Sequence, residues 1–470
     1  MDGMTRGTDT IFALSSGAGA AGVAVIRISG ARADAVLSAL TRRPLPEARR
    51  AVVRRILDPE TGETIDEGLV IRMPGPASFT GEDVVELHVH GSPAVVKRLL
   101  GVLAAQPGLR MAEPGEFTRR AFENGRLSLM EVEGLADLVR AETEAQRRQA
   151  LAAAQGEGRR QAEAWRERLI FILSRLEAAI DFCEEEDVAE QALEGVAEAM
   201  DALLAEWEAE IARAAQAESL REGFRVVIAG PPNAGKSSLL NALARREAAI
   251  VSDMAGTTRD VIEVRMDLGG LPVILCDTAG LRERDADAAD AIERIGMERA
   301  QRAMAAADVV IWLIGADQLG ESASDSIPQR LLPESPTDGR TGGPAVLSVL
   351  NKADLIDSHP QRDSIPARYD LAISAKSGMG LEAMERRLMA MLQARLDLSE
   401  PAVVTRERQR QALMAAREAL EAAKGPLAAG MVEVAAESVR RAVVALERLI
   451  GRVDVEDLLD SIFAEFCIGK

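Results

Sequence analysis

The chain has 470 residues, 47% hydrophobic and 28% charged, the composition of a soluble globular protein. That length suggests about three domains, each able to bury its own core without disulfide or metal staples. Lys and Arg number 56 against 75 Asp and Glu, a net charge of −19 that excludes coating of nucleic acid by bulk charge. The three cysteines, Cys183, Cys276 and Cys467, stand far apart without metal-ligand spacing, as expected of a reduced compartment. Neither a signal-like apolar N-terminus nor a run long enough to span a bilayer is present, so the expectation is a cytoplasmic protein with no membrane partner.

The first 125 residues read as mixed α/β. Residues 22–29, 69–73 and 84–90 are strand-like, and Ser92-Pro93 opens a helix through Val96 and Leu100. Residues 126–220 turn rich in Ala, Glu, Arg and Leu, with Trp165, Leu169, Ile172, Leu176 and Ala179 forming one helical stripe. Residues 221–397 alternate β-rich runs with helices. Helical texture returns over 398–470, where Leu413, Ala416, Leu420 and Ala423 make one stripe and Val439, Val443, Leu446 and Ile450 another. These textures describe an α/β domain inserted into one helical domain, or else two independent helical domains around it. Residues 316–343, rich in Ser, Pro, Gly and Asp, read as a surface excursion.

The inserted segment carries a nucleotide site. The apolar run Val226-Val-Ile-Ala229 leads into Gly230-Pro-Pro-Asn-Ala-Gly-Lys-Ser237 and then an apolar helix, the strand–loop–helix context of a phosphate loop. Its N–H groups and the helix N-terminus suit phosphates, with Lys236 reaching the β- and γ-phosphates and Ser237 binding Mg²⁺. Asn351-Lys352-Ala-Asp354 chooses the base: the Asp354 carboxylate can accept from guanine N1–H and its amino group, a donor pair adenine lacks. Ser374-Ala375-Lys376 can close over the base. Asp277-Thr278-Ala279-Gly280 supplies a carboxylate near Mg²⁺ and a γ-phosphate-sensing glycine, and Gly256-Thr257-Thr258 a mobile threonine. These elements occur in GTPase order, which makes this an α/β P-loop GTPase domain. Leu281 occupies the position where Ras-like proteins place a water-orienting glutamine, so water must be oriented from elsewhere. Asn233 either holds a monovalent cation beside the phosphates or braces the loop.

Together with Ser78-Phe-Thr-Gly-Glu-Asp-Val-Val-Glu86, His90-Gly91, Glu113-Pro-Gly-Glu-Phe-Thr-Arg-Arg-Ala-Phe122, Asp181-Phe182 and the terminal Cys467-Ile-Gly-Lys470, these motifs make the chain resemble the MnmE (TrmE) family of tRNA uridine-modification GTPases nearly end to end. The resemblance implies an α+β tetrahydrofolate-binding and dimerisation domain at 1–125. It implies an all-α domain in two parts, 126–220 and 398–470, around a GTPase domain at 221–397. It further implies a homodimer working with the FAD-dependent MnmG (GidA) flavoprotein as a heterotetramer. Carbon 5 of the wobble uridine of tRNA would receive an aminomethyl or carboxymethylaminomethyl group. The one-carbon unit would come from 5-formyl- or 5,10-methylene-tetrahydrofolate, with potassium-stimulated GTP hydrolysis. By motif, folate contacts fall on Arg27, Glu86, Arg126 and Lys470. Nucleotide contacts include Asn233, Ala234, Gly235, Lys236, Ser237 and Ser238. Potassium contacts fall on Asn233, Ser252, Met254 and Thr257, magnesium contacts on Ser237 and Thr258, and the water-orienting glutamate is Glu293. Two departures stand out. Arg126 replaces a family lysine of different donor geometry, and residues 15–21 lack the arginine of the family turn.

Glu86, His88 and His90 share one strand face, either a metal site or a polar pocket wall. Cys467 is either reactive or a small buried hydrophobe. Residues 455–466 pattern as a helix able to carry the terminus back into a site. Arg119, Arg120, Arg406, Arg408, Arg410, Arg440, Arg441, Arg448 and Arg452 are candidates for RNA contact or solvated helix faces. The competing function is a GTP-switched RNA-binding ribosome-assembly or regulatory protein without modification activity.

Overall fold

The computed structural model describes residues 9–246, 262–277, 301–319, 343–358, 368–396, 402–453, 459, 462–464, 466 and 468–469. In chain order the elements begin with β1 (Thr10–Leu14), β2 (Ala21–Ser29), α1 (Ala33–Thr41), β3 (Val52–Leu57), β4 (Thr64–Met73), β5 (Val84–Gly91), α2 (Pro93–Ala104), β6 (Leu109–Met111) and α3 (Glu116–Glu123). Then come α4 (Leu129–Arg140), α5 (Glu144–Ala154), α6 (Glu157–Asp181), α7 (Glu186–Leu193) and α8 (Val196–Glu222). The inserted segment holds β7 (Phe224–Ala229), α9 (Lys236–Arg246), β8 (Ile262–Leu268), β9 (Leu271–Asp277), β10 (Val309–Gly315), β11 (Ala345–Asn351), β12 (Leu371–Ala372) and α10 (Leu381–Gln393). Two long helices follow, α11 (Glu407–Ala428) and α12 (Val432–Ile450). The chain divides into two compact units: Met1–Ala136 with Ala153–Leu193 and Ala422–Lys470, and Asp137–Ala152 with Glu194–Glu421.

The first unit is built on a six-stranded sheet of order β3-β4-β5-β2-β1-β6, antiparallel except for the parallel β1–β6 edge. Period-two alternation sorts its side chains. Ile26, Ile28, Val85, Leu87 and Val89 face a core closed by Leu37 and Leu40 of α1 and Leu99 and Leu103 of α2. Arg27 and Glu86, one residue out of phase, therefore stand on the opposite face, where Ile11, Ala13 and Phe117 form a second small core. Pro93 is the first residue of α2, as the sequence reading places it, although the Ser92 hydroxyl makes no capping bond. In the same unit α12 runs along α6, and the stripe Trp165, Leu169, Ile172, Leu176 and Ala179 is buried, as are Val439, Val443, Leu446 and Ile450. Arg166–Glu447 (2.9 Å) and Arg440–Glu177 (3.1 Å) link the two helices, and Arg452, two residues past α12, pairs with Glu163 of α6 (3.2 Å).

The second unit holds a sheet of order β12-β11-β10-β7-β9-β8, parallel except for the antiparallel edge strand β8. Its central strands are apolar on both faces because both are covered. Val226, Ile228, Ile311 and Leu313 pack with α9 and α10, while Val227, Val310, Trp312 and Cys276 pack on the other side. The same unit contains Glu210, whose Oε1 accepts from the N–H groups of Val403 (2.6 Å) and Val404 (2.8 Å), and the Arg406–Asp137 ion pair (2.7 Å). Among the described residues no helix is long and apolar enough to cross a membrane.

Candidate active site

In a parallel sheet, ligands sit outside the carboxyl ends of the strands, and the predicted motifs converge there. The phosphate loop follows β7, Asp277 ends β9, Gly315 ends β10 and Asn351 ends β11. The loop's first glycine is required by space: a Cβ on Gly230 (φ +147°) would stand 2.0 Å from the Leu313 carbonyl oxygen of β10. Asn233 is the loop's left-handed non-glycine residue (φ 63°), and its side chain is exposed. Lys236, 8% exposed, donates from Nζ to the carbonyls of Gly230 (3.1 Å) and Pro231 (2.9 Å), holding the ammonium across the loop's concave side. Ser237 Oγ donates to Asp277 Oδ2 at 2.6 Å, so two hard oxygens, one from the first turn of α9 and one from the end of β9, meet at one point.

Asn351 ties the base end to the phosphate end. It is 2% exposed; its Nδ2 donates to the Ala234 carbonyl of the phosphate loop (2.9 Å) and its Oδ1 accepts from the Ala375 N–H (3.0 Å). That bond seats Ser374-Ala375-Lys376 beside the Asn351–Asp354 loop. Ser374 is fully buried and its backbone N–H is bonded to Met379 O (2.9 Å), whereas Lys376 is exposed. Asp354 is exposed at the start of a short 3₁₀ turn. Lys352, at φ 62°, donates to Asp317 Oδ2 at 2.5 Å. Ser252, Met254, Thr257, Thr258, Thr278, Ala279, Gly280 and Glu293 lie outside the described residues, as do Cys467 and Lys470.

One expectation changes at this site. The start of the predicted surface excursion is not peripheral: Ala316 is buried, and Gln318 donates from Nε2 to the Pro232 carbonyl of the phosphate loop at 2.7 Å. Composition marked residues 316–343 as loop; the available signal was their position just beyond a buried parallel strand.

On the other unit, β2 and β5 pair Arg27 directly with Glu86. Arg27 donates from Nε (3.0 Å) and Nη2 (2.9 Å) to Glu86 Oε1, and its guanidinium lies over Phe79 (5.2 Å) and Phe117 (5.6 Å). Glu86 Oε2 meets His88 Nε2 at 3.3 Å, but His90 turns to Asp66 on β4, its Nδ1 2.9 Å from Oδ1. The three-residue face therefore splits into two pairs. The final residues dock here: Ile468 bridges Pro114, and Ser15 Oγ donates to the Gly469 carbonyl at 2.8 Å. A Cβ on Gly469 would lie 2.1 Å from Leu14 O. Arg126 is exposed beside Gly81.

The candidate basic surface loses several members to ion pairs. Arg120, 4% exposed, bonds Glu82 Oε1 (3.0 Å) and Glu116 Oε1 (3.0 Å), and Arg110 also clasps Glu116, at 2.5 Å. Burial pushes the Glu116 carboxyl up, yet Arg110, the Glu113 N–H and Arg120 together bring it below the usual carboxylate value. Arg410 pairs with Glu407.

Residues 10–126 match the family model for the GTP-binding protein TrmE N-terminus, and residues 129–467 that for the MnmE helical domain. The tRNA modification GTPase MnmE of Methylobacterium sp. (strain 4-46) is 50% identical over 469 residues, covering 98% of this chain and 100% of that protein. The protein of the same name from Parvibaculum lavamentivorans is 50% identical over 463 residues, 98% and 100% of the two chains. That from Bradyrhizobium sp. (strain ORS 278) is 47% identical over 463 residues, 98% and 99%. With a phosphate-loop motif after β7, the Asn351–Asp354 motif after β11 and this end-to-end likeness, the chain is a GTP hydrolase of tRNA modification and belongs to the MnmE family of tRNA modification GTPases.

Proposed function

We propose that this tRNA modification GTPase binds a tetrahydrofolate one-carbon derivative against Arg27 and Glu86. On this reading it works as a cytoplasmic homodimer with an FAD-dependent MnmG (GidA) partner to install an aminomethyl-type group on carbon 5 of the wobble uridine of tRNA. The observation that carries the reading is the Arg27–Glu86 pair between Phe79 and Phe117, with the C-terminal tail docked at the end of β1. A flat heterocycle bearing adjacent N–H donors suits a carboxylate held by a guanidinium that itself lies over two aromatic rings. Arg27 occupies Oε1 and His88 Nε2 stands 3.3 Å from Oε2, so a ligand would share the remaining accepting capacity of Oε2 with His88. Arg126 and Lys470 complete the proposed folate set.

The hydrolytic site is read in the same way. Lys236 positions phosphate oxygens, Asp354 with Ser374, Ala375 and Lys376 selects guanine, and Ser237 with Thr258 would hold Mg²⁺. The 2.6 Å meeting of the Ser237 and Asp277 oxygens fits that hard cation, which when bound would neutralise charge on the phosphate oxygens. Exposed Asn233, with Ser252, Met254 and Thr257, is the proposed potassium set, and Glu293 orients the attacking water. The proposed domains are 1–125, 126–220 with 398–470, and 221–397. The α6–α12 pairing in one unit and the Glu210 and Asp137 bonds in the other support joining the two helical parts.

The test is a calorimetric titration of 5-formyl-tetrahydrofolate into the purified chain and its Glu86→Gln variant, alongside nucleoside mass spectrometry of tRNA from cells lacking the gene. Saturable binding lost in the variant, with loss of the modified uridine in cells, supports the reading. No folate binding and an unchanged tRNA profile would favour the regulatory GTPase instead.

A further inference from the structure

The turn after β10 makes two contacts that the GTPase motifs do not account for. Ala316–Gln318 forms a single 3₁₀ turn at the carboxyl end of the strand. From it, Asp317 reaches Lys352, the lysine of the guanine-selecting motif, at 2.5 Å, and the next residue, Gln318, donates to the Pro232 carbonyl of the phosphate loop at 2.7 Å. Gly315 makes the turn possible: a Cβ there would stand 2.4 Å from Asp317 Oδ1 and 3.5 Å from Lys352 Nζ, inside the space the ion pair uses. The Gln318 amide has one workable orientation, because turning it over would set its oxygen against the Pro232 carbonyl. Its own Oε1 is buried and has no partner among the described residues. A buried amide oxygen without a partner carries a cost, so the contact to Pro232 is held by the turn rather than by the glutamine's own convenience.

We propose that Asp317 and Gln318 are positioning residues for GTP. Together they strap the guanine-selecting lysine to the phosphate loop, so that the two ends of the nucleotide site hold their spacing as a unit. Asp317 fixes the direction of Lys352, whose long side chain would otherwise sample many rotamers. Gln318 fixes the loop crest at Pro232, next to Asn233. The loop's other tie to the base end, Asn351 to Ala234, lies deeper. The strap is therefore a second, outer connection between the same two segments, and it acts on the bound nucleotide through them rather than by touching the reacting atoms.

The experiment measures release of a fluorescent GDP from the full chain by stopped flow for Gln318→Met, Asp317→Asn and the double variant, with steady-state GTP hydrolysis on each. Gln318→Met keeps the length and removes the donor without adding charge. Loss of one such hydrogen bond is expected to speed release by about three- to tenfold. The effect should appear as a raised KM, with kcat changed far less. Because both residues act through one turn, the double variant should release GDP more slowly than the product of the single effects. Gly315→Ala, which crowds the ion pair without removing either contact residue, should reproduce the Asp317→Asn effect. Release rates within 1.5-fold of the parent for Gln318→Met, in protein with an unchanged melting temperature, would overturn the proposal. So would fully multiplicative effects in the double variant, which would show two unconnected local contacts.

Discussion

Asn351 offers the sharpest test of how the nucleotide site is assembled. Its amide is 2% exposed and satisfies two backbone groups of different loops, the Ala234 carbonyl at 2.9 Å and the Ala375 N–H at 3.0 Å. Asn351→Ala orphans both. At about 1–3 kcal/mol for each orphaned group, with the Ala375 N–H only partly buried, the loss is about 2–4 kcal/mol. Nucleotide binding requires both loops in this arrangement, so the loss is subtracted from affinity, about 30- to 1,000-fold. The isosteric Asn351→Asp separates this account from simple cavity formation. It keeps the acceptor for Ala375 but sets a second oxygen against the Ala234 carbonyl, so it is expected to bind GDP at least as weakly as the alanine variant. Gly235→Ala should behave alike, because a Cβ there would come within 2.3 Å of Asn351 Nδ2. Equilibrium titration of fluorescent GDP measures all three. An Asn351→Asp chain with GDP affinity within twofold of the parent would refute the reasoning.

Three further outcomes are expected. Glu116 sits below the ordinary carboxylate value of 4.5, against burial, because Arg110, the Glu113 N–H and Arg120 favour its charged form. Its stabilisation is therefore present above that value and lost as pH falls through the lower folded one, and Glu116→Gln should flatten the acid limb of melting temperature against pH; an unchanged limb would contradict this. Burial, then Glu263, pushes the Cys276 thiol up to about 11, so the native chain at pH 8 should take maleimide at exposed Cys183 and not at Cys276, as read by peptide mass spectrometry. Glu293→Ala should lower GTP turnover while leaving GTP affinity near the parent's, and normal turnover in single-turnover kinetics would remove Glu293 from the water-orienting role proposed for it.

Much of this molecule was legible from local order. The phosphate loop, the Asn351–Asp354 motif and the helical stripes on α6, α11 and α12 are short-range patterns, and periodicity alone placed Leu413, Ala416, Leu420 and Ala423 in the interior, where they are fully buried. Likewise, strand alternation placed Glu86, His88 and His90 on one face, whereas Arg27 was named only through the family resemblance. The rest depended on pairing between segments distant in the chain. Nothing local makes Glu86, 59 residues on, the cross-strand partner of Arg27. Nothing local turns His90 toward Asp66 rather than His88, draws buried Arg120 to Glu82 across 38 residues, or sets Gln318 against Pro232 across 86 residues. Those outcomes follow from strand register and from the requirement that buried charges and amides find partners. The sequence by itself determined which chemistry the chain carries and along which elements. Tertiary structure alone decided which side chains meet, because register is set by the packing of whole faces and a contact between distant segments leaves no periodic trace in either.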